Sequence, residues 1–378
     1  MKKTTTNLTL PEGQPVTRFP TFPRPDDEEL LAFVLRVWSY KQGEIVSLMI
    51  HFDDHLGLYR ALVGVSSVTA GELITVTGLQ ECWVLEWLRG QATAGLLGYD
   101  DNDHFELYSC TAAVLAEEEH SLVFAVGAFG VPFESDVTDD GLAEAFRSGV
   151  GLPYDRLSPN AIHRSEHMLG PWARLALVPH IIIPTIEGVE PKLEAGARVV
   201  DVACGAGVVL LAMAVAYPAS GFYRFDPSEH AISRVRQRMN EARVTNVTLH
   251  QASAEDLSPE APFDLVMTFD CIHDMTHQAD AIASIGVALT DDGTWLVKDI
   301  CSAPRFVDNL ANPVLAMLYG FSVATCMLSG LCEPGGAGVA TLGIHPLTVE
   351  EMSRAVGFTR FQIPDSEDLA NLYYEVRP

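Results

Sequence analysis

The sequence predicts an α/β chain in which a doubly wound, parallel sheet follows a mainly helical N-terminal domain. Three observations predict it. From about Val189 onward, strand-like runs alternate with helix-like runs, the signature of parallel strands joined by crossover helices. A glycine-rich turn, "ACGAG", closes the first of those strands. Ahead of it, two apolar-periodic segments meet at a tight "TG" and are followed by two short strands joined at "DDND". That is a helix-turn-helix with a wing.

The elements follow in order. Residues 1–27 are polar and proline-punctuated, an extended arm. A winged-helix domain is expected over 28–125, with "DEELLAFVLRVWSYKQGEIVSLMIHF" and "HLGLYRALV" as helices before the helix-turn-helix. Residues 126–188 read as connecting helices, as does "EEEHSLVFAVGAF" just before them, with a Gly/Pro-rich break at 149–153. The second domain, 189–378, alternates strand and helix through "ARVVDV", "GFYRFD", "VTLHQAS", "FDLVMTFD" and "TWLVKDIC", with "ADAIASIGVALTDDG" as the helix before the last. An apolar, then Gly-rich segment at 303–345 reads as a cap over a pocket. "FTRFQIPDSEDLANLYYEVRP" gives two strands too closely linked for a helix between them, hence an antiparallel pair.

Length and composition bound the function. A chain of 378 residues, 48% hydrophobic, can bury a full core and suits two domains. Its net charge is −26, from 24 Lys+Arg against 50 Asp+Glu. Such a field repels nucleic acid and anionic membranes unless a local basic patch offsets it. The helix that would read DNA carries Glu81 and Glu86 against a lone Arg89, and the wing tip holds Asp100, Asp101 and Asp103. No nucleic-acid partner and no membrane partner are expected; dimerisation or substrate capping suits this domain better. Seven cysteines without a CxxC pair point to a reducing compartment, with neither a disulfide framework nor a zinc site. The polar N-terminus lacks the apolar core of a signal peptide. The expected location is the cytoplasm.

Two acids and two glycines make the densest motif. In "VVDVACGAG" the strand delivers Asp201, and Gly205 and Gly207 let the backbone turn tightly beside a helix N-terminus. A dinucleotide fingerprint would need a third glycine where Leu210 stands. Asp226 then ends the second strand, where a carboxylate can accept ribose hydroxyls. Asp201 at the strand end, opening D-x-A-x-G-x-G, resembles motif I of class I S-adenosylmethionine-dependent methyltransferases. "QASAEDL" looks like that family's adenine loop, although Ser253 stands where Asp is common and Ala203 replaces the commoner first glycine. With the winged helix in front, the chain is similar to small-molecule O-methyltransferases, in an actinobacterial-type group marked by "GLYRAL", "EWLRGQ" and "DCIHDM". The resemblance implies a seven-stranded Rossmann-like methyltransferase sheet and S-adenosylmethionine held by Asp201, Ala203, Gly205, Gly207, Asp226, Ser253, Ala254 and Asp270, with Tyr154 closing over it. It also implies a homodimer built by the N-terminal domain and a small-molecule substrate.

"FDCIHDMTHQ" leaves the fourth strand at the edge where ligands of open α/β sheets sit. The family carries H-D-W there, with the His as general base; here the triplet is His273-Asp274-Met275. An imidazole with a pKa near 6.5 can take a hydroxyl's proton at neutral pH. Asp299 ends the fifth strand, where the pattern has a supporting acid. A second supporting acid lies later in the family, near which this chain has His345. His163, His167 and His345 are candidate substrate-pocket residues; the HxxxH spacing of the first two has no evident third ligand, and no metal is expected. The expected reaction is methyl transfer to an oxygen nucleophile with His273 as base and Asp299 as its orienter. Two alternatives stay open: an S- or N-methyltransferase working by alignment without a base, and a non-catalytic ligand-sensing transcription regulator.

Overall fold

The computed structural model describes residues 26–100, 102–130, 141–156, 159–178, 183–257, 261–366 and 368–378. Most of the predicted arm at 1–27 lies outside them. The side chains of Asp155 and of residues 159–165, among them His163, are outside the description as well. The chain divides by compactness into Met1–Met49 and Ile50–Pro378.

Within the first unit runs most of helix α1 (Asp27–Leu56), which opens on three acids, Asp27, Glu28 and Glu29. Negative charge there complements the helix dipole. Leu31, Leu35 and Trp38, spaced along one face, are exposed, as is Tyr40.

The second unit begins with the winged helix. Helix α2 (Leu58–Leu62) is followed by α3 (Ala70–Thr77), whose start is fixed by a capping box. Thr69 Oγ1 accepts from the Glu72 amide while the Glu72 carboxylate accepts from the Thr69 amide at 2.8 Å. Gly78, at φ +70°, ends α3 and makes the turn into α4 (Glu81–Thr93). Strands β1 (Leu97–Tyr99) and β2 (Phe105–Leu107) pair antiparallel as the wing, and α5 (Ser109–Leu115) follows. The helix expected across 117–129 does not form. Residues 117–125 are turns, and only Val126–Phe129 coil, as one 3₁₀ turn. Ser121 Oγ accepts the Val123 amide at 3.3 Å, a local turn bond that competes with helix.

Helices α6 (Leu142–Ser148) and α7 (Pro159–Trp172) connect the domains, and α7 runs into a π turn at Ala173–Leu177 just after Pro171. Proline has no amide to donate, and a wider turn absorbs the break. Helix α8 (Val189–Ala195) leads to the sheet.

That sheet contains β3 (Arg198–Val202), β4 (Gly221–Phe225), β5 (Val247–His250), β6 (Phe263–Phe269), β7 (Leu289–Ile300), β8 (Arg360–Gln362) and β9 (Asn371–Arg377). Their order is β5-β4-β3-β6-β7-β9-β8, with β9 antiparallel to both neighbours and the other pairs parallel, as the sequence predicts. Helices α9 (Val208–Ala216), α10 (Glu229–Ala242) and α11 (Gln278–Ala288) cross between the strands. Beyond β7 lie α12 (Phe306–Asn309), α13 (Leu315–Phe321), a π turn at Ser322–Cys326, α14 (Met327–Gly330) and α15 (Pro346–Ala355).

The central strands read as continuous apolar runs because both faces are covered. Val200, Val266, Val297 and Tyr374 face one core with Ile282 and Ile285 of α11. Their neighbours Val199, Leu265, Leu296 and Tyr373 face the other, with Leu210 and Met213 of α9. This two-residue alternation carries on into the polar strand end, so adjacent Lys298 and Asp299 serve opposite faces. One boundary differs from the sequence expectation. Helix α11 stops at Ala288, and Leu289 already pairs with Phe263, with a register shift before the ladder resumes at Leu265. Asp291, Asp292 and Gly293 are poor helix formers, so the chain extends there instead.

Candidate active site

The strand order reverses between β3 and β6, and the crevice at their carboxyl ends is where such sheets hold ligands. Asp201 arrives there on β3, 2% exposed, with Oδ2 buried and without a hydrogen bond. Burial, then the charge of Asp226, pushes its carboxyl well above the usual range. The turn that follows needs positive φ at Ala203 (+55°), Gly205 (+51°) and Gly207 (+69°). For Ala203 that conformation costs about 1–2 kcal/mol. No atom lies within 4 Å of where a Cβ on Gly205 would stand, whereas one on Gly207 would meet Val235 of α10 at 2.8 Å. Gly205 therefore leaves room for a ligand, and Gly207 allows helix packing.

Asp226 is held from three sides. Its carboxylate accepts the Gly205 and Ser228 amides, each at 2.8 Å. Arg224, fully buried on β4, approaches it at 3.2 Å and donates to the carbonyls of Asp226, Ser228 and His250. A charged residue inside the apolar run "GFYRFD" was a readable signal for this clamp, and sequence reasoning missed it. Ser253 Oγ donates to Asp256 at 2.9 Å, and Ala254 is buried.

Across the crevice, β6 ends at Asp270, which takes φ +51° and forms an ion pair with Lys298 of β7. The Lys298 ammonium lies 5.0 Å above the Trp172 ring. The chain then makes a 3₁₀ turn, Ile272–Asp274, that buries His273 to 4% exposure. Its Nδ1 lies 2.8 and 3.0 Å from the two oxygens of Asp299, which also accepts the Ile300 amide at 2.8 Å. Nε2 faces Asp274 Oδ1 at 3.3 Å, and Cys326 also hydrogen-bonds the ring. Burial works to lower the imidazole's pKa, but the charges of Asp299 and Asp274 and the bonds from Asp299 and Cys326 outweigh it, so it stands well above 6.5. Asp274 and Cys326 as neighbours of the ring were not anticipated; the thiol comes from the π turn Ser322–Cys326, distant in sequence. Cys271 contacts the Val202 carbonyl at 3.6 Å, linking the ends of β6 and β3. Burial and the surrounding acids raise its thiol's pKa.

Other candidate residues lie elsewhere. His345 caps α15, accepting the Thr348 amide at 3.4 Å, and takes no part in the His273 cluster. His167 belongs to a separate group, with Nδ1 3.2 Å from Glu118. Tyr154, 37% exposed, follows a segment tied to α14 and the residue after it. The Gly151 and Leu152 amides donate to the carbonyls of Leu331 and Leu328, and a Cβ on Gly151 would overlap Leu328.

Comparison with known proteins shows what this chain is similar to. Residues 193–319 match the model of a methyltransferase domain, and residues 44–117 that of an Rv2258c-like winged HTH domain. The ribosomal RNA small subunit methyltransferase G of Aliivibrio fischeri is 29% identical over 150 residues, 38% of this chain and 70% of that protein. For the Haemophilus influenzae protein of the same name the identity is 36%, over 26% of this chain, and the chain spans about half of that relative's length (49%). An O-methyltransferase family protein from Burkholderia thailandensis superposes with a TM-score of 0.61 at 16% identity, covering 92% of this chain and 98% of that one. Human N-acetylserotonin methyltransferase, solved with S-adenosylmethionine, gives 0.61 at 14% identity, covering 94% and 99%. At such identities the structures share the fold. Among the described residues, no helix is long and apolar enough to cross a membrane.

Proposed function

We propose that this chain, a methyltransferase domain behind a winged helix, is an S-adenosylmethionine-dependent methyltransferase acting on an oxygen nucleophile of a small molecule. The observation that carries the reading is the buried His273–Asp299 pair at the carboxyl end of the sheet, 2.8 Å between Nδ1 and Oδ1.

The residues fit the cofactor. Asp201 keeps a buried, unbonded oxygen, Gly205 leaves open space above the turn, and Asp226 stands at the adjacent strand end. Once bound, S-adenosylmethionine supplies an electrophilic methyl on a positively charged sulfur. In this reading Asp201 and Asp226 bind and orient, while the β6 turn holds the acceptor's proton acceptor. Asp299 takes the hydrogen bond from Nδ1–H, which fixes the tautomer and puts the lone pair on Nε2. With the cofactor bound, Nε2 would take the acceptor hydroxyl's proton as its oxygen bonds to the methyl carbon, while the methyl–sulfur bond breaks and the sulfur leaves as a neutral thioether. A nearby positive charge lowers an imidazole's pKa, so the raised value in the free site favours proton uptake only until a cationic ligand arrives.

His273→Ala should lower kcat by about 10²–10⁴-fold while calorimetry shows cofactor binding intact. Near wild-type turnover would favour alignment of a nucleophile with no proton to lose. The exposed stripe Leu31, Leu35 and Trp38 on α1 supports the homodimer, since apolar stripes of this kind need a partner. We place the protein in the cytoplasm, consistent with its seven unpaired cysteines.

A further inference from the structure

His273 has neighbours that base catalysis does not require. One ligand atom each from His273, Asp274 and Cys326 lies within 4.8 Å of the other two. His273 and Cys326 are buried, at 4% and 6% exposure. Asp274 Oδ1 is buried and, apart from its ion-pair contact with His273 Nε2 at 3.3 Å, makes no hydrogen bond. Thr341 Oγ1 donates to Cys326 Sγ at 2.8 Å, the arrangement that suits a thiolate. On the far side of the ring, Asp299 holds Nδ1, as a carboxylate commonly does for a metal-bound histidine.

We propose that His273 Nε2, the Asp274 carboxylate and the Cys326 thiolate form a Zn²⁺ site with an open fourth position. Imidazole, carboxylate and thiolate together suit Zn²⁺, whereas Mg²⁺ and Ca²⁺ take oxygen ligands. Bonds of about 2.0–2.3 Å place tetrahedral ligands roughly 3.3–3.8 Å apart. The His273–Asp274 separation of 3.3 Å already meets that. Drawing in the remaining atoms takes about 1 Å of side-chain motion. On binding, the ion takes the Nε2 lone pair and a carboxylate oxygen, and the Cys326 S–H bond breaks as the Zn–S bond forms, its proton passing to solvent. Three protein ligands leave one position for water or an acceptor heteroatom. The same lone pair cannot hold the ion and accept a proton, so Zn²⁺ occupancy stops base catalysis. That consequence rests on the proposed function; the site itself does not.

The test uses the full chain, stripped with chelator and titrated with Co²⁺ as a spectroscopic stand-in for Zn²⁺. One equivalent should bind with a thiolate-to-cobalt charge-transfer band in the near ultraviolet, and Zn²⁺ should abolish it. Cys326→Ser should lose the band while Cys82→Ser, an exposed control, keeps it. Asp299→Asn should weaken Co²⁺ binding by about 10–100-fold. Absence of the band in wild type, or its persistence in folded Cys326→Ser, overturns the site. A failed titration alongside inactive His273→Ala leaves the base reading standing, and a bound ion with fully active His273→Ala does the reverse.

Discussion

Arg224–Asp226 and His273–Asp299 are both buried acid–cation pairs at strand ends, and they differ in what can change. Arg224 is always charged and spends its donors on three carbonyls as well as Asp226. Its carboxylate partner is therefore held in a fixed place. His273 has an imidazole whose charge depends on pH and on neighbouring ions, and its Nε2 faces Asp274 at 3.3 Å. The first pair suits a binder, the second a group that must gain and lose a proton. The contrast teaches that burial alone does not mark chemistry; the titratable partner does.

Breaking the permanent pair should have the largest effect. Arg224→Met leaves Asp226 buried and uncompensated, a loss of about 3–5 kcal/mol, read as a lower midpoint in denaturant with a weakened cofactor dissociation constant. An unchanged midpoint would mean that the clamp carries no weight.

Asp201 sharpens the comparison, because it has no cation of its own. Its pKa is raised, so the folded state binds a proton more tightly than the unfolded chain does. Stability from this group is fully present below about pH 4 and is lost as pH rises through the raised value. Asp201→Asn should thus raise the melting temperature near neutral pH, with less gain in acid, while weakening cofactor binding. A lower melting temperature at neutral pH would contradict this. The smallest effect is expected at Ala203. Glycine there relieves about 1–2 kcal/mol of left-handed strain and gives back about 0.4–1 kcal/mol in unfolded-chain entropy. Thermal melts of Ala203→Gly should move slightly upward.

Much of this was legible in the sequence, for local reasons. Strand alternation, the glycine turn and the order of Asp201, Asp226 and His273 are written within short windows, and topology brings them to one sheet edge. Lys298 and Asp299, adjacent in the chain, part to opposite faces by the two-residue period alone. What was hidden depends on packing between distant segments. Cys326 reaches His273 only because the segment after β7 folds back over the β6 turn, and no spacing rule encodes that. His345 sits where a functional residue was expected, yet "HPLT" is also a helix start, and the helix claimed it. The end of α11 was misread because apolar periodicity ran on past Ala288 into a segment that pairs as strand.

The central claim is that His273, tuned by Asp299, accepts the proton. It is tested most directly by kcat/KM against pH in wild type and Asp299→Asn, since that ratio reports groups in the free enzyme. A base must be neutral to act, so the raised pKa of His273 predicts a rate that climbs with pH along a limb above about 6.5. Removing the Asp299 charge should shift that limb to lower pH and reduce its plateau. A profile without a limb, or one that Asp299→Asn leaves in place, would contradict the account.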